Sequence, residues 1–307
     1  MITDIHLQKF RSYYDSSFDF DPGVNIIVGQ NGSGKTNLLE SIMMVSQGAS
    51  YRAKDHHMIL NDELWARLEA HTKDQTRVVK IENIGPDKYS KTFEINDQII
   101  RKLNLEQKIP IILFEPNHLQ LLTGGPEARR EYLDSILEQT VVGYRRLRLK
   151  YKRLLTQRNN LLKTRKVFKQ DIFVWNVQLS EVGGQINKHR FGLTNKINDQ
   201  IIDLYKKIAG SELKLRVHYS SELKVVGYET ALLSKLENYT EDVLRGHTLH
   251  GPHLDDMRVY IGDTEAGLIA SRGETRTILL ALKLIETKIV EDNRNKKPIL
   301  LLDDVFG

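Results

Sequence analysis

Gly29-Gln30-Asn31-Gly32-Ser33-Gly34-Lys35-Thr36 reads G-x-x-x-x-G-K-[ST], the pattern of a phosphate-binding P-loop. Its flanks have the required order. Val24-Asn25-Ile26-Ile27-Val28 is a short, β-branched apolar run expected to form a buried strand. After the loop, Leu38, Leu39, Ile42 and Met43 fall at helical spacing, so strand, glycine loop and helix follow in turn. Gly29, Gly32 and Gly34 let the backbone curl, so that the N–H groups of the loop, including those of Gln30, Asn31 and Ser33, converge on phosphate oxygens at a helix N-terminus. Lys35 supplies a point charge for the terminal phosphates, and the Thr36 hydroxyl is a ligand for Mg²⁺.

At 307 residues the chain is long enough for one large or two moderate cores. Charged residues at 28% and hydrophobic residues at 40% fit an ordinary globular protein. No run approaches 18 apolar residues, so no membrane span is expected, and Met1–His6 has no signal-peptide pattern. The absence of cysteine excludes disulfides and thiolate metal sites and accords with a cytoplasmic location. The net charge of +5 points to an anionic partner.

Strands are expected over 2–7 and 17–20, then over 64–72, 77–84 and 89–95 as an antiparallel layer, with another central strand over 110–114. From Glu127 to about Ile208 the pattern is helical, with a break expected at Gly183-Gly184. Between Gln139 and Gln170 lie eleven basic residues (Arg145, Arg146, Arg148, Lys150, Lys152, Arg153, Arg158, Lys163, Arg165, Lys166 and Lys169) and no acid. Leu147, Tyr151, Leu154, Leu155, Leu161 and Leu162 form an apolar stripe beside them. Such a helix suits an acidic partner, a calmodulin-type interaction or a membrane surface; the pattern names a charge and not a ligand. Strands are expected over 213–219 and 257–261, with a helix over 228–245 between them.

Near the end, Ile299-Leu300-Leu301-Leu302-Asp303-Asp304 has the form of a Walker B element, an apolar strand closing on carboxylates beside the P-loop strand. Asp303 would hold Mg²⁺ through water, and Asp304 would orient or deprotonate the attacking water. Upstream, Ser271-Arg272-Gly273-Glu274 precedes a helical run to about Asp292, which makes a second anion-binding helix end; the plain alternative is an N-cap. His56-His57 lacks a third metal ligand at suitable spacing, and Trp65 and Trp175 read as packing residues.

Taken together these residues resemble the ATP-binding-cassette ATPases and, within them, the RecF family of bacterial recombination mediators. The resemblance rests on Lys9-Phe10-Arg11-Ser12-Tyr13, on the P-loop with Thr36-Asn37-Leu38-Leu39-Glu40, and on Leu122–Pro126 with Arg129-Arg130-Glu131-Tyr132-Leu133-Asp134. Gly251-Pro252-His253 with Asp255-Asp256, the Ser271–Glu274 segment and Asp303-Asp304 complete it. It implies that Lys35, Thr36 and Asp303 hold ATP and Mg²⁺, with Lys35 and Asp304 in the hydrolytic step. Arg11 then approaches the γ-phosphate, while Ser271 and Gly273 act in trans on the nucleotide of a second copy. ATP would drive homodimerisation, and slow, DNA-dependent hydrolysis would reset it. The implied partners are duplex DNA beside single-stranded gaps, RecR and RecO, with the outcome that RecA loads where SSB sits. Three departures stand out: Leu254 replaces an arginine, Asn117-His118 replace acidic residues, and the chain stops at Gly307, before the loop and further elements with which the family continues. A chain ending there is expected to dimerise and hydrolyse ATP poorly.

The expected architecture is α/β: a P-loop ABC-type ATPase head (a mixed sheet with a flanking antiparallel β-layer) from 1–118 and 246–307, with a mainly helical lobe over 119–245 inserted. A transporter nucleotide-binding subunit predicts a Leu-Ser-Gly-Gly-Gln-like signature, where this chain has Ser-Arg-Gly-Glu. An SMC- or Rad50-like protein predicts long heptads, which the sequence lacks. A DNA-binding module with a vestigial ATP site is opposed by the intact Lys35, Thr36, Asp303 and Asp304.

Overall fold

The computed structural model describes residues 1–164 and 167–304. In chain order, strands β1 (Ile2–Phe10) and β2 (Tyr13–Asp19) precede helix α1 (Lys35–Gln47). Strands β3 (Trp65–Thr72), β4 (Thr76–Gly85), β5 (Lys88–Ile95), β6 (Gln98–Ile100) and β7 (Ile111–Phe114) follow. Helices α2 (Gln120–Thr123), α3 (Pro126–Thr140), α4 (Tyr144–Lys163) and α5 (Lys169–Ala209) lead to β8 (Leu215–Ser220), α6 (Tyr228–Glu237) and α7 (Thr240–Arg245). The chain ends through β9 (Asp256–Ile261), β10 (Thr264–Glu265), α8 (Ala266–Ile269), α9 (Arg272–Arg294) and β11 (Ile299–Leu302).

The elements form two compact units, one from 1–116 with 296–307 and the other from 117–295. In the first, six antiparallel strands run in the order β2-β1-β3-β4-β5-β6. Alternation places Ile5 and Leu7 of β1, Ala66, Leu68 and Ala70 of β3, and Val79 and Ile81 of β4 in one core, together with Leu38, Ile42 and Val45 of α1. The helix therefore lies on the sheet through its apolar stripe and leaves its N-terminal turn at the glycine loop. Strands β11 and β7 form a separate parallel pair, with Leu301 opposite Leu113 and Leu302 opposite Phe114.

The strand expected at 24–28 is absent. Val24, Ile26 and Val28 are 82–88% exposed, and only Ile27 packs against the core. Apolar β-branched residues favour a strand, but a strand also needs a neighbour to satisfy its backbone, and among the described residues none pairs with this segment. The neighbour of β11 is accordingly β7 and not the residues ahead of the P-loop.

The second unit is built on α4 and the 41-residue α5, with α6 against them and the antiparallel sheet β10-β9-β8. Tyr151, Leu154, Leu179, Val182, Ile186, Leu232 and Leu236 form the core that joins α4, α5 and α6. The expected break at Gly183-Gly184 does not occur, since α5 runs through both. A Cβ on Gly183 would meet Leu232 at 2.9 Å, and one on Gly184 would meet Glu229 at 3.2 Å. These glycines serve close helix approach and do not end the helix. Residues 246–295, placed in the ATPase lobe by the sequence reading, lie in this second unit, because β9 pairs with β8 and α9 packs on α5.

Candidate functional site

Gly34 is the N-cap of α1, with φ of +98°, and no side chain caps the helix, so its first turn opens onto the loop. A side chain at Gly34 would strike the Tyr13 hydroxyl at 2.8 Å and the Ser12 hydroxyl at 2.9 Å. Tyr13 donates to the Gly34 carbonyl at 3.0 Å, and Asn37 donates to Ser12 at 2.9 Å. The end of β1 and the turn after it thus buttress the loop from below. Gln30, Asn31, Gly32 and Ser33 are exposed, as is Gly29. The Lys35 ammonium donates to the carbonyls of Gly29 and Gln30 at 2.8 and 2.9 Å, which holds the cation over the loop.

The decisive contact joins residues 267 apart in sequence: the Thr36 hydroxyl donates to Asp303 Oδ1 at 3.2 Å. Asp303 is placed by its own backbone N–H, which continues the β11–β7 ladder to the Phe114 carbonyl at 2.9 Å. A hydroxyl and a carboxylate at this separation are hard oxygen donors that fit Mg²⁺. Asp304, next along, is exposed and has φ of +47°.

The structure adds residues that the motifs did not single out as site members. Glu40, fully buried one turn beyond Thr36, accepts two hydrogen bonds from the Arg11 guanidinium, at 2.8 and 2.9 Å, and another from Ser50. Arg11, expected at the γ-phosphate, is therefore held by a carboxylate within its own unit. The Tyr51 hydroxyl lies 3.5 Å from Asp303 Oδ2, and burial together with that carboxylate raises its pKa. Glu40 was legible as the fourth residue after Thr36 on the same helical face; Tyr51 carried no signal.

In the second unit Ser271 is the N-cap of α9. Its hydroxyl accepts from the Glu274 N–H at 3.2 Å, while Glu274 accepts from the Ser271 N–H at 2.8 Å, a complete capping box. Ser271 and Gly273 are both exposed. The structure thus bears out the N-cap at Ser271.

The other specific segments go inward. Arg129 binds Asp256 through two hydrogen bonds of 2.7 and 2.8 Å, and Arg190 binds Asp134 through two of 2.8 Å. Burial opposes charge on Asp256, yet Arg129 holds its carboxyl below the ordinary range. Asp255 Oδ2 accepts from Asn187, Tyr219 and Tyr228. The Thr248 carbonyl can only accept, so His253 Nε2 carries the hydrogen across 3.2 Å and Nδ1 accepts from Tyr151 at 2.8 Å. That neutral tautomer is buried, and its pKa falls to about 4.

A family model described as an AAA domain matches residues 4–244. The chain is 32% identical to the DNA replication and repair protein RecF of Heliobacterium modesticaldum, across 100% of this chain and 85% of that protein. It is likewise 32% identical to the RecF of Herpetosiphon aurantiacus, across 100% and 86%. Among solved structures, a RecF–ATP complex of the RecFOR pathway superposes with a TM-score of 0.85 at 26% identity, over 99% of this chain and 84% of that one. A second, described as RecF-ATPrS, gives 0.87 at 27% identity over 100% and 86%. With its P-loop, its paired Thr36 and Asp303 and similarity of this kind along all of its residues, the chain belongs to the RecF family of DNA replication and repair proteins.

Proposed function

We propose that this chain is an ATP-dependent DNA-binding protein of recombinational repair, in which bound ATP joins two copies and slow hydrolysis releases them. The observation that supports it most is the Thr36–Asp303 contact, since it assembles the two halves of a nucleotide site from opposite ends of the chain. Lys35 would exchange its loop carbonyls for the terminal phosphates, and the N–H groups of residues 29–36 would cradle them. Mg²⁺, when held by Thr36 and, through water, by Asp303, supplies charge neutralisation at the phosphates. Asp304 would take the proton of, or orient, the attacking water. Ser271 and Gly273 would complete the site of a partner copy from an exposed helix N-terminus, whose N–H groups suit phosphate oxygens. Arg11 would reach the nucleotide by leaving Glu40.

The similarity to DNA replication and repair proteins supports DNA repair as the setting, and the RecFOR pathway of the structural neighbour supports RecO and RecR as partners. Duplex DNA next to a single-stranded gap, where RecA is to be loaded, is the proposed substrate, and a cytoplasmic location follows from it. Phosphate contacts would dominate affinity, giving steep salt dependence and little sequence preference. Sedimentation velocity with and without MgATP and duplex DNA tests the reading. With the further C-terminal elements of the family appended, the chain is expected to shift to a dimer with ATP, whereas its Lys35→Ala and Ser271→Arg variants remain monomeric. An assembly state indifferent to ATP would refute the trans arrangement.

A further inference from the structure

The basic run that the sequence left without a ligand is sorted by the structure. Arg158 is fully buried and bonded to Asp242 at 2.6 Å and to Asn176 at 2.8 Å, so it is interior framework. Arg148 is held by Glu131 and Glu138, each at 2.7 Å, and Arg145 lies 3.9 Å from Glu138. Arg165 and Lys166 fall outside the described residues. On α4 there remain Arg146, Lys150, Lys152, Arg153 and Lys163, all exposed and, among the described residues, without an ion pair.

Arg146, Lys150 and Arg153 follow one another at steps of four and three, so they share one face of α4, beside the stripe that buries Tyr151, Leu154 and Leu162. From Arg146 to Lys163 the helix rises about 25 Å at 1.5 Å per residue. The exposed surface between them is filled by Thr156, Gln157 and Asn160, neutral groups that can also donate to phosphate, and no acid interrupts it. A membrane-surface or calmodulin-type helix needs a free apolar face. That of α4 is consumed inside the unit, where Tyr151 and Leu154 pack with Leu179, Val182 and Leu232. What α4 offers outward is mainly charge of one sign on a rigid rod, with neutral polar groups between and a single apolar side chain, Leu149, 40% exposed among them, and two of its three central cations are arginines, whose fork suits phosphate.

We infer that Arg146, Lys150 and Arg153 lie along the phosphate backbone of duplex DNA, flanked by Lys152. The inference rests on the proposed DNA-binding role and assigns that role a surface. The test is fluorescence anisotropy with a labelled 30-base-pair duplex at 50–200 mM salt, with MgATP present, on the unmodified chain and two triple variants. Arg146→Gln/Lys150→Gln/Arg153→Gln should weaken binding at least about tenfold at 0.15 M salt and reduce the log–log salt slope by about 2.7, as expected for three lost phosphate contacts. Lys188→Gln/Lys196→Gln/Lys207→Gln removes the same charge from exposed positions on α5 and should leave affinity within about threefold. A charge-keeping Arg146→Lys/Arg153→Lys chain should retain the slope, which separates lost contacts from misfolding.

Equal loss in the two Gln triples, or none in the first, overturns the inference while leaving DNA binding intact. Loss of poly-L-glutamate binding with duplex binding preserved assigns the stripe to an acidic protein and overturns it as well. If the unmodified chain binds no duplex even at 50 mM salt, the proposed function falls and this surface falls with it.

Discussion

The P-loop of the first unit and the Gly251–Asp256 segment of the second are both distinctive in sequence, and they end in opposite environments. Residues 29–33 are exposed, and among the described residues the Lys35 ammonium donates to the loop's own Gly29 and Gln30 carbonyls. Asp255 and Asp256 are buried and His253 is half-buried, and each is bonded by groups from other helices and strands. One region leaves its loop residues exposed; the other engages its carboxylates and imidazole in bonds that hold helices and strands together. A distinctive motif therefore marks either a ligand site or a buried polar keystone, and the partners of its side chains decide which.

The largest effect that would break this contrast concerns the keystone, which Arg190 reaches by donating to the Pro252 carbonyl at 2.6 Å. Arg190→Met leaves Asp134 buried without its bidentate partner and should cost about 3–5 kcal/mol in chemical denaturation, with ATP affinity per folded molecule unchanged. A cost below about 1 kcal/mol with lost ATP binding would place this segment at the ligand instead.

Acid probes the same region. His253 titrates near 4 in the folded chain against an ordinary 6.5, so between those values the unfolded chain holds more protons and folding weakens as pH falls. The loss should approach roughly 3 kcal/mol by pH 4, and His253→Gln should flatten the stability profile in that window. An unchanged profile in the variant would show that another group governs it.

The open site responds differently. Lys35→Ala should weaken ATP binding by about 1.5–3 kcal/mol, the range of a charged hydrogen bond, while shifting stability by less than about 0.5 kcal/mol. Smallest, and sharpening the comparison at a residue that caps its helix and is proposed to meet phosphate, Ser271→Ala removes the cap of α9 and should cost about 1 kcal/mol. Ser271→Asp keeps a capping oxygen but sets a negative charge where phosphate would come, so it should restore stability without restoring ATP-driven assembly.

Much of this was legible from residues alone. The helix after the glycine loop, the antiparallel layer and the strand that ends at Asp303 sit where spacing and alternation put them, although that strand pairs with β7 and not with residues ahead of the P-loop. Three readings failed for identifiable reasons. Val24–Val28 has strand composition, but pairing is a tertiary property that composition cannot supply. Gly183-Gly184 read as punctuation because a glycine that ends a helix and one that admits a neighbouring helix look alike until Leu232 and Glu229 are in place. Residues 246–295 followed the nucleotide motifs in sequence, yet their strand and helix pair with β8 and α5. Tyr51 next to Asp303 was invisible, since no local pattern links positions 252 apart.

The central claim is that Lys35, Thr36 and Asp303 form one ATP site. Titration calorimetry with ATP, with and without Mg²⁺, tests it on the unmodified chain, Lys35→Ala and Asp303→Asn. The account predicts Mg²⁺-strengthened binding by the unmodified chain, at least about tenfold weaker binding by Lys35→Ala, and loss of the Mg²⁺ effect in Asp303→Asn. ATP bound as tightly by Lys35→Ala as by the unmodified chain would contradict it.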